Sequence, residues 1–480
     1  MNKRLLCHLV GNVVRVCGAL MILPIIVSLV LRSGDTMPLL LSMLIALAVG
    51  TALALVQPRR DTLRAREGFA IVAFSWIIVS FLGGLPFYFS GCVPSLVDCF
   101  FETVSGFTTT GATILTDVEA LPKGLLFWRS FTHWAGGMGV LVLSLALIPK
   151  MGARSIHLMR AESPGPSTDK LVPRVANNAK ILYEIYVALS LFMVAALLFC
   201  GLDLYDALVH MFGAAGTGGF GTYGASIAYF DSAAVDVVVG IFMALFGVNF
   251  SLYYFLLHRN WKAVLGNSEL RWYAGILLSV SAIVAVNIMP LYGGRFFTAL
   301  RYSFFQASSI MTTTGYATAD FDLWPQLSRV LLVALMFIGA SAGSTGGGLK
   351  VVRVQLLLKS MVRDIRRTVH PKSVNTVKLD GHTVDENILS GVQGFFFAYF
   401  LILILATVIV SLDGFSFETN FTAVVATLSN IGPGLGMVGP VGNYAAFSDL
   451  SKLVLSMCML IGRLEIFPIL MLFAPSAWRK

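Results

Sequence analysis

The chain has 480 residues, of which 57% are hydrophobic and only 12% are charged, and its mean hydropathy is +0.81. Soluble domains carry about a quarter charged residues, so this composition excludes an ordinary soluble protein and indicates that the bilayer is the solvent. The net charge of +9 does not indicate nucleic-acid binding, because the basic residues lie in short loops between apolar stretches, where membrane topology places them.

Two apolar spans come first, near residues 10–31 and 37–57, and one pattern then occurs four times. Each copy is a long span, a short apolar segment that ends in a Gly/Thr-rich turn, and a second long span. The long spans lie near 68–90 and 125–149, 180–201 and 233–257, 272–292 and 327–360, and 391–412 and 449–474. The short segments lie at 95–107, 203–215, 296–311 and 416–429, and segments of this length favour re-entrant helices.

The predicted fold is therefore an all-α integral membrane protein with four pore units, each of the potassium-channel type (span, pore helix and loop, span), plus two extra N-terminal transmembrane helices. A repeat at a regular period indicates one structural unit used several times. The predicted divisions are an N-terminal hairpin over 1–62 and pore repeats over 63–155, 156–262, 263–372 and 373–480.

Charge asymmetry tests this layout. With ten full spans and both termini inside, the basic loops all fall on one side, as the positive-inside rule requires. The opposite side carries a set of acids that would concentrate cations in an outer vestibule, although any one of them is equally well an ordinary solvated loop residue. These acids are Asp98, Glu102, Asp117, Glu119, Asp203, Asp206, Asp320, Asp322 and Glu418.

The four turns read FTTTGAT, AAGTGGFGT, MTTTGYAT and LSNIGPGLG, and their central glycines, Gly111, Gly218, Gly315 and Gly432, are spaced by 107, 97 and 117 residues. Non-helical backbone at membrane depth is tolerated where protein buries it or where it lines a water-filled cavity. Carbonyl oxygens facing an axis replace an ion's hydration shell, and an uncharged ring suits a monovalent ion better than calcium. Repeat two contains both Gly218 and Gly219, and the sequence leaves open which of them is the turn glycine.

The predicted ion-binding residues are the turn glycines and their neighbours, whose carbonyl and hydroxyl oxygens would face a potassium ion. They are Thr109, Thr110, Gly111, Thr217, Gly218, Gly219, Thr313, Thr314, Gly315, Asn430, Ile431 and Gly432.

Two features interrupt the later spans. Glycines crowd the second span of repeat three, and since each interior glycine costs a helix roughly 1 kcal/mol, we expect the helix to unwind there; small residues that permit close helix packing are the alternative. These glycines are Gly339, Gly343, Gly346, Gly347 and Gly348.

Arg463 lies inside the last span, where an ionised side chain needs a cavity or a partner. A structural pair with an acid such as Glu465 is an alternative to a role in the pore.

The chain resembles the TrkH-type potassium uptake proteins of the Trk/Ktr/HKT superfamily. The motifs that carry the resemblance span almost the whole chain, and the two extra N-terminal spans fit the TrkH branch. They are SGFTTTGAT (105–113), HWAGGMGV (133–140), RAESPGPSTDKLVPR (160–174), TTTGYATADF (312–321), GASAGSTGGGLKVVR (339–353), SNIGPGLG (429–436) and IGRLEIFP (461–468).

The resemblance implies potassium uptake through a gated pore in the bacterial inner membrane, with both termini cytoplasmic. It makes 339–348 an intramembrane gating loop with Lys350 at its inner end, and it places Arg463 at the pore as a barrier or gate anchor. It also implies a homodimer and docking, on the cytosolic stretches 150–179 and 359–390, of a TrkA-like regulator with RCK-type domains that binds NAD or ATP/ADP. This chain itself shows no nucleotide site, and contact with membrane lipid is the alternative for those stretches.

A secondary symporter that couples potassium to sodium or protons fits the same fold. An enzyme is not expected, because the chain has no Ser/His/Asp, Cys/His or metal-ligand constellation. The four turns also differ from one another, so strong selectivity for potassium over sodium is not expected of them.

Overall fold

The computed structural model describes residues 2–58, 65–139, 175–372 and 375–475. The inner half of the predicted span 125–149, the motif 160–174 and most of the proposed docking stretch 150–179 lie outside these ranges. The basic residues that flank the first repeat and end the chain also lie outside them; they are Arg59, Arg60, Arg64, Arg479 and Lys480.

The two predicted N-terminal spans form a helical hairpin. Helices α1 (Lys3–Leu20) and α2 (Ile22–Leu31) follow each other almost without a break, and α3 (Thr36–Ala54) returns along them. Side chains added at Gly11 or Gly50 would run into the backbone of the facing helix, so these glycines allow α1 and α3 to pack closely. The carboxylate of buried Asp35 accepts hydrogen bonds from Ser28 Oγ at 2.5 Å and from the backbone amide of Leu125 at 2.6 Å, which ties the hairpin to repeat one.

The four repeats follow in chain order, each with a short helix between longer ones. Repeat one comprises α4 (Ala65–Phe89), α5 (Leu96–Phe107) and α6 (Lys123–Gly137). Repeat two comprises α7 (Val175–Phe199), α8 (Leu204–Gly216), α9 (Ala233–Phe246), α10 (Phe250–Leu257) and α11 (Trp261–Gly266). Repeat three comprises α12 (Ser268–Ile288), α13 (Phe296–Met311), α14 (Gln326–Ile338) and α15 (Val351–Val369). Repeat four comprises α16 (Glu386–Val410), α17 (Phe417–Leu428), α18 (Asp449–Arg463) and α19 (Phe467–Phe473).

A small antiparallel hairpin connects repeats three and four. Its strands are β1 (Lys378–Leu379) and β2 (His382–Thr383), and they are the strands found in the described ranges.

Local sequence starts three of the four short helices. Ser95, Asp203 and Ser416 are their N-cap residues, and each side chain accepts the backbone amide three residues further on, which is how polar side chains satisfy the free amides of a first turn. The helices α5, α8, α13 and α17 have 12, 13, 16 and 12 residues. At about 1.5 Å per residue these are roughly 18–24 Å long, too short for a bilayer core of about 30 Å, and the half-length prediction is confirmed.

Six helices of the described chain are long and apolar enough to cross a membrane alone, and a seventh span is the pair α9 and α10, which bends by 93°. The prediction of an unbroken span over 233–257 is therefore wrong, because Gly247 ends α9 and the Asn249 side chain caps a new helix. The unbroken span over 449–474 is also wrong, because Glu465 and Ile466 take left-handed backbone angles between α18 and α19. The predicted unwinding in repeat three is confirmed, since α14 ends at Ile338 and α15 begins at Val351.

The repeats are arranged cyclically around one buried core. In each repeat the helix that follows the turn packs on the short helix of the next repeat: α6 on α8, α9 on α13, α14 on α17, and α18 back on α5. This order closes the circle and brings the C-terminal ends of all four short helices towards one centre.

Candidate functional site

The four turns at the centre share one backbone path. In each, a residue with left-handed φ follows the end of the short helix by one or two positions: Thr109 (φ 56°), Thr217 (57°), Thr313 (60°) and Asn430 (58°). Its amide and the next amide bond back to helix carbonyls three and five residues earlier, at 2.8–3.3 Å, which is the Schellman type of helix end. Left-handed φ is unusual for a β-branched residue, and such strain is typical of functional sites.

A second left-handed position follows two residues later in every turn. It is occupied by Gly111 (φ 80°), Gly219 (78°), Gly315 (82°) and Gly432 (95°). Gly218 matches Thr110, Thr314 and Ile431 instead. The open question for repeat two is thereby answered by backbone geometry: Gly219 is the turn glycine, and the initial alignment on Gly218 was one residue out.

The four turns form a closed ring. At each turn glycine an added Cβ would meet a carbonyl oxygen of the neighbouring repeat, the one belonging to the residue just before that repeat's own glycine. The contacts are Gly111 with the carbonyl of Gly218, Gly219 with Thr314, Gly315 with Ile431, and Gly432 with Thr110. The ring therefore has no room for a side chain at these glycines, and it holds four carbonyl groups at one level.

The amide groups of the turns are used elsewhere. Because these amides bond back to their own short helices, the turns present carbonyl oxygens and not amide groups to the ring. The C-terminal ends of the four short helices lie directly behind it, and the negative ends of their dipoles favour a cation there. This arrangement provides partial negative charge without a carboxylate.

The threonine hydroxyls mostly brace the ring. Thr110 and Thr314 each pair with the hydroxyl two residues earlier, on Thr108 and Thr312, at 2.8 Å in both repeats. Thr313 Oγ1 accepts the backbone amide of Gly347 at 2.6 Å. These hydroxyls therefore hold the turns in place, and the predicted additional hydroxyl ligands at Thr110, Thr313 and Thr314 have protein partners instead.

Repeat four departs from the other three. Asn430 Nδ2 donates to Thr110 Oγ1 and to the carbonyl of Met459, both at 2.9 Å, so it links repeat four to repeat one. The hydroxyl of Tyr444 donates to the carbonyl oxygen of Gly432 at 2.7 Å. Among the described residues the other three turns do not share these contacts, so the four turns are chemically unequal.

A cleft of about 590 Å³, open to solvent, lies directly above the ring and is lined by all four turn glycines. Its described lining contains Arg129 and no Asp or Glu, so the outer acids do not form the wall of the cleft itself. The concentration of cations by these acids stays a prediction. The acids instead have protein partners: Glu102 binds Arg129 at 2.7 Å, Asp98 binds Lys452 at 2.6 Å, and Arg329 binds both Asp322 and Glu418.

At the rim of the cleft, Asp206 accepts hydrogen bonds from Thr222 Oγ1 at 2.8 Å and from the hydroxyl of Tyr223 at 3.0 Å. Partial burial raises the pKa of the Tyr223 phenol above its ordinary value, and the Asp206 carboxylate adds to the shift. The phenol therefore stays protonated and keeps donating to Asp206.

The segment between α14 and α15 lies directly below the ring and is almost entirely buried. Gly339, Gly343 and Gly348 have φ of 71–75°, and an added Cβ at Gly347 would strike the carbonyl of Ser429. The amide of Gly348 donates to that same carbonyl at 3.0 Å. The glycines are thus required by backbone angle and by contact with the underside of the ring, which favours the unwound segment over a continuous helix with close packing.

The same segment is attached to the broken helix of repeat two. The amide of Ser341 donates to the carbonyl of Gly247 at 3.1 Å, and the amide of Phe250 donates to the carbonyl of Gly343 at 3.0 Å. Lys350 lies at the inner end of the segment with left-handed φ, is buried, and donates through Nζ to the carbonyl of Gly346.

Arg463 connects three repeats. Its guanidinium donates to the carbonyl of Thr345 in the unwound segment at 2.8 Å, and to the carbonyls of Gly136 and Gly137 in repeat one at 2.6 and 2.5 Å. Glu465 pairs with Arg353 of α15. Since Arg463 reaches carbonyls on both sides of the centre, the interpretation as a barrier or anchor is favoured over a simple pair with Glu465.

Sequence reasoning did not predict the roles of two buried acids: it listed Glu102 only among the outer acids, and it did not single out Glu269. Glu102 accepts hydrogen bonds from Arg129, Thr113 and the amide of Ile114, and so supports the outer strand of turn one. Glu269 Oε1 accepts the amides of Ala342 at 2.7 Å and Val352 at 3.1 Å, on both sides of the unwound segment. The signal that singled out Arg463, an ionisable residue within or at the end of an apolar segment, applies equally to both.

Comparison with known proteins gives one consistent result. The family model described as "Cation transport protein", TrkH, matches residues 37–275 and 295–480. Proteins named Trk system potassium uptake protein TrkH, from Salmonella typhimurium and Escherichia coli, are 40% identical over the full length of both chains. The crystal structure of the potassium transporter TrkH from Vibrio parahaemolyticus superposes with a TM-score of 0.89 at 34% identity, again covering both chains completely.

Proposed function

The chain belongs to the TrkH family of cation transport proteins, and from this premise we propose that it takes potassium into the bacterial cell through the ring of four turns. The observation that carries the proposal is the closed contact of turn glycines with neighbouring carbonyls. A potassium ion that enters the ring exchanges its hydration water for peptide oxygens, as in carbonyl-lined filters.

The ring residues act as the filter for the transported ion, and K⁺ is cargo, not a resident cofactor. The carbonyl oxygens of Thr110, Gly218, Thr314 and Ile431 are supported by their contacts with the neighbouring glycines. The dipoles of the four short helices add to the attraction. The hydrogen bond from Tyr444 to the carbonyl of Gly432, the residue after the ring carbonyl of Ile431, makes the four turns unequal, so we expect moderate rather than strict discrimination against sodium.

The gate is the segment from Gly339 to Lys350 together with Arg463. Their hydrogen bonds join the underside of the ring to repeats one, two and four, and the guanidinium places a positive charge below the filter. Opening must break or move these bonds while the filter keeps its shape. The charges of Lys350 and Arg463 repel cations as long as the segment stays in place.

The chain works in the bacterial inner membrane with both termini in the cytoplasm, an orientation supported by the basic loops on one side. It acts as a homodimer with a cytosolic regulator of the RCK type that binds NAD or ATP/ADP. Nucleotide binding belongs to that regulator and not to this chain. Binding of the regulator to the inner ends of the repeats would shift the gate between two populations.

Growth of a potassium-uptake-deficient bacterium at micromolar potassium tests the proposal. Expression of the chain is expected to restore growth, and expression of a variant with Gly315→Asp is not. If the parent chain reached the membrane and failed to restore growth, the proposed function would be wrong.

Purified chain in a planar bilayer then separates a channel from a symporter. With potassium concentrations held fixed, a gated channel keeps its reversal potential when the proton gradient changes. A shift of the reversal potential with that gradient would instead establish proton coupling.

A further inference from the structure

A second cleft, away from the ion pathway, lies between α12 and α15. It has a volume of about 510 Å³ and is open to solvent, and its lining along α12 comprises Ser268, Arg271, Trp272, Gly275, Ile276 and Ser279. These residues are three or four positions apart, so they occupy one face of the helix. Gln355 and Lys359 of α15 form the other wall.

The polarity of this cleft changes along its length. Arg271, Trp272 and Lys359 lie at the end where α12 begins, and the chain just before α12 carries Arg259 and Lys262. Gly275 and Ile276 lie further along α12. The distance from Ser268 to Ser279 is about 16 Å at 1.5 Å per residue, close to half of a hydrocarbon core of about 30 Å. One leaflet of lipid has this same length and this same order of polar and apolar parts.

The basic groups at the mouth have donors to spare. Arg271 gives one hydrogen bond, from Nη2 to the carbonyl of Gly266 at 3.3 Å, and Lys359 gives one, from Nζ to the carbonyl of Lys378 at 2.8 Å. A guanidinium has five N–H donors and an ammonium has three. An acid close to the mouth, Asp380, already accepts the amide of Ser268 at 2.8 Å.

The apolar part of the cleft is open. An added Cβ at Gly275 would meet nothing within 4 Å, so this glycine leaves the floor of the cleft low. Trp272 is 38% exposed, and tryptophan is enriched at the membrane–water interface.

We propose that this cleft binds one anionic phospholipid, with its phosphate on Arg271 and Lys359 and an acyl chain over Gly275 and Ile276. Basic pockets between transmembrane helices bind anionic headgroups, and both charge-assisted hydrogen bonds are of the stronger kind. The chemistry selects a lipid over a free phosphate because half of the cleft is apolar.

The lipid also links the two helices that flank the gate. α15 begins directly after the unwound segment, and the second residue of α12, Glu269, accepts amides from both sides of that segment. A ligand that bridges α12 and α15 stabilises the arrangement in which it binds. We therefore expect phosphatidylglycerol to lower potassium flux through the chain when its regulator is absent. This expectation rests on the proposed function.

Native mass spectrometry of the full-length chain, titrated with phosphatidylglycerol or phosphatidylcholine, tests the binding step without any flux measurement. The parent is expected to retain phosphatidylglycerol preferentially. The double variant Arg271→Gln/Lys359→Gln is expected to weaken this binding roughly thirty-fold, and Lys262→Gln, an exposed basic residue nearby, is the matched control. Gly275→Leu, which fills the apolar part, is expected to weaken binding as well, with the exposed Gly394→Leu as its control.

Three results would overturn the proposal. In the first, the double variant and Gly275→Leu retain phosphatidylglycerol as well as the parent does. In the second, millimolar glycerol phosphate displaces the lipid completely, which would make the site a simple phosphate site. In the third, the variants lose dimer without losing lipid, which would assign the cleft to a second copy of the chain. Lipid binding and ion conduction are measured separately. A variant that loses lipid but still conducts potassium therefore tests the lipid site without testing the proposed function.

Discussion

The outer and inner halves of the four repeats are built on different rules. Around the ring, all four short helices end with the same hydrogen bonds, the same pair of left-handed residues and the same contact with the next repeat. Below the ring, the following helices break at unlike places: at Gly247–Asn249 in repeat two, over Gly339–Lys350 in repeat three and at Leu464–Ile466 in repeat four.

The difference indicates that the ring of turns and the region below it are under different constraints. An ion on the central axis meets every repeat at the same height, so the turns must agree in backbone geometry. A gate needs one segment that moves against the others, and it gains from asymmetry. The long break in repeat three, held by Arg463 from repeat four and by Glu269 at its own start, is therefore the best candidate for the moving part.

The largest effect on potassium flux is expected from a substitution in the ring of turns, the symmetric part of the molecule. Gly315→Asp places a side chain where the carbonyl of Ile431 lies and adds a buried charge, which costs several kcal/mol. We expect potassium flux to fall by more than about a hundredfold, with membrane insertion retained. Rubidium flux in proteoliposomes measures it.

The control for this variant is Gly294→Asp. Gly294 also has left-handed φ, at 75°, but an added Cβ there meets nothing. Equal loss of flux in both variants would attribute the effect to backbone strain alone and remove this turn from the pore.

The next effect is expected from shortening the asymmetric segment. Deletion of Gly346, Gly347 and Gly348 removes the amides that bind Thr313 and Ser429. Two lost hydrogen bonds of about 1 kcal/mol each would raise basal flux by roughly ten- to thirty-fold. Single-channel recording of the regulator-free chain measures the open probability, and a deletion variant that conducts no more than the parent would contradict the gate.

A somewhat smaller gain is expected from Arg463→Gln. The substitution removes the positive charge and weakens the bonds to Thr345, Gly136 and Gly137, so basal flux should rise by about tenfold. Arg463→Lys keeps the charge but loses the planar guanidinium that reaches carbonyls in two other repeats, so it separates the effect of the charge from the effect of the hydrogen bonds. Flux that stays at the parent level in both variants would leave Arg463 with a structural role only.

The smallest of these effects is expected at Glu269. Glu269→Ala leaves the amides of Ala342 and Val352 without their acceptor, and basal flux should rise by about fivefold. Glu269→Gln keeps an oxygen at that position and should stay close to the parent. If the two variants behave alike in the flux assay, the contact with the unwound segment does not matter for gating.

Much of the fold could be predicted from the sequence because the bilayer imposes simple rules. Segment length separated spans from half-length helices, and the spacing of Gly/Thr-rich turns revealed the repeats. The crowded glycines around Gly346 correctly indicated an unwound helix, because their number exceeds what a membrane helix carries for packing alone.

The remainder depends on contacts between distant residues. The choice of Gly219 over Gly218 follows from backbone angles that two adjacent glycines do not reveal in the sequence. The break at Ile466 places a β-branched residue in a left-handed conformation, which propensity argues against. Some partners of the outer acids lie in other repeats, as Lys452 does for Asp98 and Arg329 does for Glu418, and reading each loop separately does not reveal them.

Anomalous diffraction from crystals of the chain grown in rubidium tests the central claim most directly. The account predicts an ion on the axis of the ring, enclosed by the carbonyl oxygens of Thr110, Gly218, Thr314 and Ile431. Rubidium bound only at carboxylates on the outer surface, with none inside the ring, would contradict it.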